Sequence, residues 1–176
     1  MLCCVSLVLL PLSHHLDLPK ISTSRSPDWF MITAKATKTD ETGQMVGRIQ
    51  SPLLRHYTLD NRIAITMPFF ILYDKDRLPW HITAEKSDIF QGKDQRIEFY
   101  GHVLVKQMPG KNSNEVTLMT EHFTYYPKTS QAFTKEPVTI MEPGATVHSV
   151  GFQADFKQSI IKFLSQSQTQ YYEQKH

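Results

Sequence analysis

Residues 96–106 read Arg96-Ile97-Glu98-Phe99-Tyr100-Gly101-His102-Val103-Leu104-Val105-Lys106. Apolar and polar side chains alternate on both sides of Gly101. That is the period of a half-buried β-strand, whose successive side chains point to opposite faces. Arg62-Ile63-Ala64-Ile65-Thr66 repeats the pattern upstream. Turn signals separate such runs: Asp60-Asn61, Asp74-Lys75-Asp76, Gln91-Gly92-Lys93-Asp94, Pro109-Gly110-Lys111-Asn112 and Pro143-Gly144. Helical periodicity is scarce before residue 155. The chain therefore reads as all-β, a sandwich, barrel or roll.

The strands also repeat. Ile49-Gln50-Ser51, Ile82-Thr83-Ala84, Leu118-Met119-Thr120 and Phe152-Gln153-Ala154 each read apolar, polar-tolerant, small. Their first positions lie 33, 36 and 34 residues apart. About twenty residues into each of the first three repeats comes a second unit: Pro68-Phe69-Phe70-Ile71, His102-Val103-Leu104-Val105 and Pro137-Val138-Thr139-Ile140. Each repeat is a strand, a turn and a second strand, and such units bury their apolar faces only by stacking. Parity then predicts that Ile63, Ile65, Phe69 and Ile71 share a face, as do Ile97, Phe99, Val103 and Val105. Ile49 with Ser51, and Ile82 with Ala84, are expected to line the facing strands. The recurring small residue leaves room for a neighbour's aromatic ring or for a guest.

Composition narrows the function. Of 176 residues, 40% are hydrophobic and 20% charged, so one ordinary folded domain is expected. Nineteen Lys and Arg against seventeen Asp and Glu give a net charge of +2, too balanced for binding nucleic acid by bulk charge. The two cysteines, Cys3 and Cys4, are adjacent at the N-terminus. The body therefore has no disulfide framework, zinc knuckle or thiol nucleophile. Its seven glycines are scattered and form no phosphate loop, and no G-x-S-x-G or H-E-x-x-H occurs. Asp74 and Asp76 lack the further ligands of a calcium loop. His81, His102, His122 and His148 are dispersed without metal spacing. No metal, cofactor or catalysis is expected.

Met1 to Leu12 reads MLCCVSLVLLPL, nearly continuous apolar sequence. It is shorter than the ~20 residues of a spanning helix and has no preceding cationic stretch. Three readings fit it: a truncated membrane anchor, a cleaved export signal, or a buried first strand. Residues 17–28, with Pro19 and Pro27 among polar residues, read as a linker. The division expected is thus an N-terminal apolar segment at 1–16, a linker at 17–28 and a β domain at 29–173. The stretch from Phe156 to His176 fits neither period cleanly, so a last strand and a short helix both remain open.

The turn Asp74-Lys75-Asp76-Arg77-Leu78-Pro79-Trp80, followed about two dozen residues on by Tyr100-Gly101-His102-Val103, resembles the LptC family. Gly43 after an acidic turn, Pro68 at a strand start, Gly144-Ala145-Thr146 to Gly151 and Gln170-Tyr171-Tyr172-Glu173 fit the same resemblance, which covers roughly residues 28–173. These proteins belong to lipopolysaccharide transport in Gram-negative bacteria. The resemblance implies a single-pass inner-membrane protein with its main domain in the periplasm. That domain would be an open, twisted β-jellyroll of two facing antiparallel sheets, with no catalysis. Lipopolysaccharide would arrive from an inner-membrane ABC transporter (LptB, LptF, LptG) at the N-terminal edge. It would leave to a periplasmic LptA-like protein at the C-terminal edge.

The resemblance places Ala34 and Ile65 on the lipid path. By shared face, that groove is expected to extend through Ile49, Ile63, Phe69, Ile71, Ile82, Ala84, Ile97, Phe99, Val103 and Val105. Gly43 and Gly144 are expected at partner contacts. Arg48, Arg55, Arg62 and Lys106 are candidates for meeting lipid phosphates from a rim. Two other functions compete with lipid conduction. A structural β-scaffold would have a filled interior closed by Phe69, Phe99 and Phe123. A polysaccharide-cleaving enzyme would need clustered carboxylates on one face, whereas the acids here lie mostly in turns.

Overall fold

A computed structural model describes residues 26–73, 78–110, 114–155 and 160–172. The expected apolar segment at 1–16, nearly all of the linker at 17–28, and the Asp74–Asp76 turn lie outside the described residues. Among those described, eleven strands form one antiparallel sheet and there is no helix. The strands are β1 (Trp29–Thr39), β2 (Met45–Tyr57), β3 (Arg62–Thr66), β4 (Phe69–Tyr73), β5 (Pro79–Thr83), β6 (Lys86–Phe90), β7 (Arg96–Gln107), β8 (Val116–Tyr126), β9 (Gln131–Glu142), β10 (Ala145–Asp155) and β11 (Ile160–Tyr171). From Ile160 to Tyr171 the C-terminal stretch is thus a strand. It is exposed throughout and pairs with β10 at the sheet's edge rather than covering a core as a helix would.

The sheet folds along a line of bends into two facing leaves. Pairing register shows it. β2 meets β4 through Gly47–Gln50, then β3 through Leu53–Tyr57. β7 meets β6 through Arg96–Tyr100, then β5 through Leu104–Gln107. The chain crosses the same line from β3 to β4 at Met67 and from β5 to β6 at Glu85, where Met67 N–H donates to the Glu85 carbonyl (2.8 Å) and Glu85 N–H to that of Gly101 (3.0 Å). Thr33, Met67, Gly101, His102, Gly151 and Gln166 all sit on this line with positive φ. Glycine is the residue that takes such angles without strain, and at Gly151 space demands it too: a Cβ there would meet Leu164 Cδ1 at 2.8 Å.

The first leaf holds β4, β5 and the adjoining parts of the long strands; the second holds β3, β6 and the remaining parts. Only hydrogen-bonded neighbours bring their Cα atoms within 8 Å. The leaves therefore meet through side chains, as packed sheets about 10 Å apart do. Turn-to-turn bonds run along each leaf: Met108 N–H to Pro79 O in the first, Gln91 N–H to Asn61 O in the second. Among the described residues β1 pairs with β2 alone and β11 with β10 alone, so each leaves one edge free.

The bends explain the repeated small residue. Ser51, Ala84 and Thr120 each end a first-leaf segment just before the chain turns into the second leaf. The fourth such position is Ser149, in Val147-His148-Ser149, and not Ala154, which lies beyond the bend. The reason is loop length: the Pro143-Gly144 turn between β9 and β10 is short, so the last repeat contracts to 29 residues from Thr120. A bend also breaks the ladder and leaves carbonyls without partners. The hydroxyls there meet them: Ser51 Oγ lies 2.6 Å from Thr66 O, Thr120 Oγ1 2.9 Å from Pro137 O, and Ser149 Oγ 2.9 Å from Ser165 O.

Candidate functional site

Inward-facing side chains stack into rows that cross the whole sheet. In the first leaf one row runs Ala36, Ile49, Phe70, Ile82, Val105, Leu118, Ile140, Val147, Thr169, each paired with the next in register. In the second leaf another runs Trp29, His56, Ile63, Ile89, Ile97, Tyr125, Ala132, Ala154, Ile161. Beside it, Met31, Leu54, Ile65, Ser87, Phe99 and Phe123 form a third. Apart from His56, none of these residues carries an ionisable charge near neutral pH. The rows form one apolar interior that is buried in the middle and emerges exposed at both ends, in Trp29 and Met31 on β1 and Ile161 and Phe163 on β11.

Most residues singled out in the sequence lie on this interior. Ala34, Ile65, Ile82, Ile97, Phe99, Val103 and Val105 are buried in the core, and Ile49, Ile63 and Ala84 pack against it half-buried. Two do not. Phe70, 1% exposed, takes the inner place on β4, and Leu72 packs against the core behind it. Phe69 and Ile71 face outward, Phe69 packing edge-on against the outer ring of His81. The bend is the cause. Between β3 and β4 it consumes Met67, and buried Pro68 takes an inner place; between the halves of β7 it consumes both Gly101 and His102. The two strands thus leave the bend one residue out of phase.

The middle of the interior is filled. Phe70 meets Phe99 edge-on at 5.0 Å between ring centroids, and Phe123 lies 6.1 Å from Phe99. Ser87, beside Phe99 and Ile65, is small enough to admit these rings; its hydroxyl is buried without a hydrogen-bond partner. Periodicity gives no sign of it, since a lone serine between charged residues reads as surface.

The paired charged groups lie on the outer face and at the ends. On the second leaf Arg62 pairs with Asp88 at 2.8 Å and lies over the Tyr57 ring, while Arg96 pairs with Glu98 at 2.5 Å over Phe90. Burial pushes the Glu98 carboxyl up, but hydrogen bonds from Tyr100 and Arg96 outweigh it and hold it below its ordinary range. Lys106 pairs with Glu115 at 3.4 Å. Gly43 and Gly144 occupy the turns before β2 and before β10, both at positive φ, and Gly144 accepts the Tyr172 N–H at 2.9 Å.

At the start of β1, the Asp28 carboxylate accepts from Thr58 N–H (3.0 Å), Thr58 Oγ1 (2.8 Å) and His56 Nδ1 (2.9 Å), and Trp29 stacks flat on His56 at 5.0 Å. The His56 bond is the main reason that Asp28 is held down at about 2. A lowered carboxyl contributes stability above its unfolded value, 3.8, and loses it as pH falls through the folded value. The attachment of β1 should therefore weaken between pH of about 4 and about 2. In a Trp80→Phe background, Trp29 fluorescence should report that transition, and Asp28→Asn should abolish it. A transition that persists in Asp28→Asn would assign it to other groups.

A family model described as lipopolysaccharide-assembly, LptC-related, matches residues 1–173. No curated protein sequence matches. Among solved structures the chain is similar to LptH from Pseudomonas aeruginosa, the LptA homologous periplasmic component of the conserved lipopolysaccharide transport device. The TM-score is 0.60 at 9% identity over 72% of this chain and 95% of that one. At that identity the likeness establishes the fold alone.

Proposed function

The chain belongs to the LptC-related family of lipopolysaccharide-assembly proteins, and we propose that it carries lipopolysaccharide by passing the acyl chains between its two leaves. Its place in lipopolysaccharide transport follows from the family. The passage itself rests on one observation: two inward-facing rows without Asp, Glu, Lys or Arg run unbroken from β1 to β11, and apolar side chains stand exposed at both edges, Trp29 and Met31 on β1 and Ile161 and Phe163 on β11. Each methylene left in water costs about 0.8 kcal/mol, so a lipid in transit needs such a cover over the length of its chains. The wall is Ala34, Ile49, Ile63, Ile65, Ile82, Ala84, Ile97, Phe99, Val103 and Val105, with Phe70 and Leu72 in the places first given to Phe69 and Ile71.

The free edges are the docking surfaces of this reading. A partner strand added to β1 or β11 continues the sheet and the rows together. The transporter LptB, LptF, LptG would sit at β1, close to the Gly43 turn. An LptA-like protein would sit at β11, close to Gly144. The N-terminal apolar segment would hold the chain in the inner membrane with the β domain in the periplasm.

One observation favours a second reading, a scaffold that touches no lipid: Phe70, Phe99 and Phe123 fill the middle of the interior. In the conduit reading these rings are displaced as the leaves part. Half-buried Ile63 and its outward neighbour Ala64 separate the two. Ile63→Glu sets a carboxylate on the acyl path, where burying charge is costly, and should weaken lipopolysaccharide binding by about tenfold or more. Ala64→Glu should leave it within about twofold. Equal binding by both folded variants would favour the scaffold.

A further inference from the structure

Strand addition at β1 leaves one surface uncovered. Phe30 and Ile32 are 63% and 70% exposed. They alternate with Trp29 and Met31, whose inner-row places an added strand would cover. Phe30 and Ile32 point the other way, to the outer face, and would stay in water.

The surroundings of these two residues indicate what covers them. Phe30 pairs with Arg55 and Ile32 with Leu53; further along the same outer face, Lys35 pairs with Gln50 and Thr37 with Arg48. On this outer face β1 and β2 carry Lys35, Arg48 and Arg55 and no Asp or Glu; Asp40 and Glu41 lie in the turn beyond the strands, where the Asp40 carboxylate accepts from Thr42 and Gln44 N–H. Asp28, the nearest carboxylate before them, is already held by His56 and Thr58. Apolar side chains among cations, with no acid on either strand and the next outward carboxylate, Asp88, already paired with Arg62, match an anionic bilayer: the apolar groups enter the headgroup boundary and the cations meet phosphates. The chain also ties this face to the apolar run that ends at Leu12, which at full extension reaches ~60 Å to Phe30.

We propose that the outer face of β1 and β2 rests on an anionic lipid bilayer, with Phe30 and Ile32 in the headgroup boundary and Lys35 and Arg55 against the lipid phosphates. This is a contact of the domain itself, separate from the N-terminal segment and from any lipid between the leaves.

The test uses the full chain with Cys3→Ser and Cys4→Ser, carrying an environment-sensitive probe on Ile32→Cys or, as control, on Thr139→Cys of β9. The protein is reconstituted in vesicles of phosphatidylethanolamine and phosphatidylglycerol containing headgroup-level nitroxide lipids. Quenching at 32 should exceed that at 139 by about threefold or more and fall to the control level in Lys35→Glu with Arg55→Glu. Equal quenching at the two positions overturns the proposal. So does shielding at 32 that is already complete in detergent, which assigns the cover to residues 1–25, or shielding that appears only when the transporter is added, which assigns it to a protein. None of these results bears on passage between the leaves, which the Ile63 and Ala64 pair tests separately.

Discussion

Phe99→Ala is expected to lower the free energy of unfolding by about 3–5 kcal/mol. Phe99 is fully buried, pairs with Ser87 and Phe123 in register, and meets Phe70 from the opposite leaf. No neighbour is placed to fill the gap, because Ser87 is already small and Phe70 is fixed by its own row. The cost is therefore that of lost burial plus an unrelaxed cavity, at the upper end for a core truncation. Urea unfolding, with the slope unchanged from the parent protein, measures it. A loss below about 1 kcal/mol would mean that the centre of the interior is not packed as described. The same variant bears on function. If the rings are a gate that lipid displaces, a folded Phe99→Ala protein should take up lipopolysaccharide at least as well as the parent despite its lower stability.

Gly151→Val is expected to cost roughly 2–6 kcal/mol, from about 1–3 for a branched residue held in the left-handed region and about 1–3 for overpacking. Gly151 has φ of +81°, and an added Cβ would lie 2.8 Å from Leu164 Cδ1 and 2.9 Å from its Cβ. Leu164 is on β11, so the damage should fall on the β10–β11 ladder. β11 should become sensitive to protease while the core through β9 holds. Adding Leu164→Ala relieves part of the contact but leaves the backbone strain, so recovery should be partial. Complete recovery would mean that the bend at Gly151 tolerates a side chain.

Those two sites mark what the sequence discloses and what it does not. Alternation around Gly101 discloses the strands, and the recurrence of Ser51, Ala84 and Thr120 discloses the repeat, but only the pairing register shows that all three stand at bends. The family resemblance, carried by the 74–80 turn and Tyr100-Gly101-His102-Val103, holds over the chain. Phase across a bend was not legible. One positive-φ residue at Met67 and two at Gly101-His102 look alike as sequence, yet they send Phe70 inward in one strand and Val103 and Val105 inward in the other. Ser149 was hidden for a related reason: Phe152-Gln153-Ala154 has the same pattern, and only the short turn before β10 reveals that the bend comes earlier. The Asp28 clasp joins residues 28 apart in sequence from His56, a spacing to which no local pattern points. The apolar exposure of β1 on both faces follows from its place at an edge, which periodicity cannot give.

The central claim is that acyl chains run between the leaves, and site-specific photo-crosslinking in cells tests it most directly. Ile65 is 2% exposed on the inner face, and its neighbour Ala64 points outward between Arg55 and Asp88. A crosslinker at Ile65 should capture lipopolysaccharide in an ATP-dependent manner, and one at Ala64 should capture none. Capture at neither position in folded protein, or at Ala64 alone, would contradict passage between the leaves.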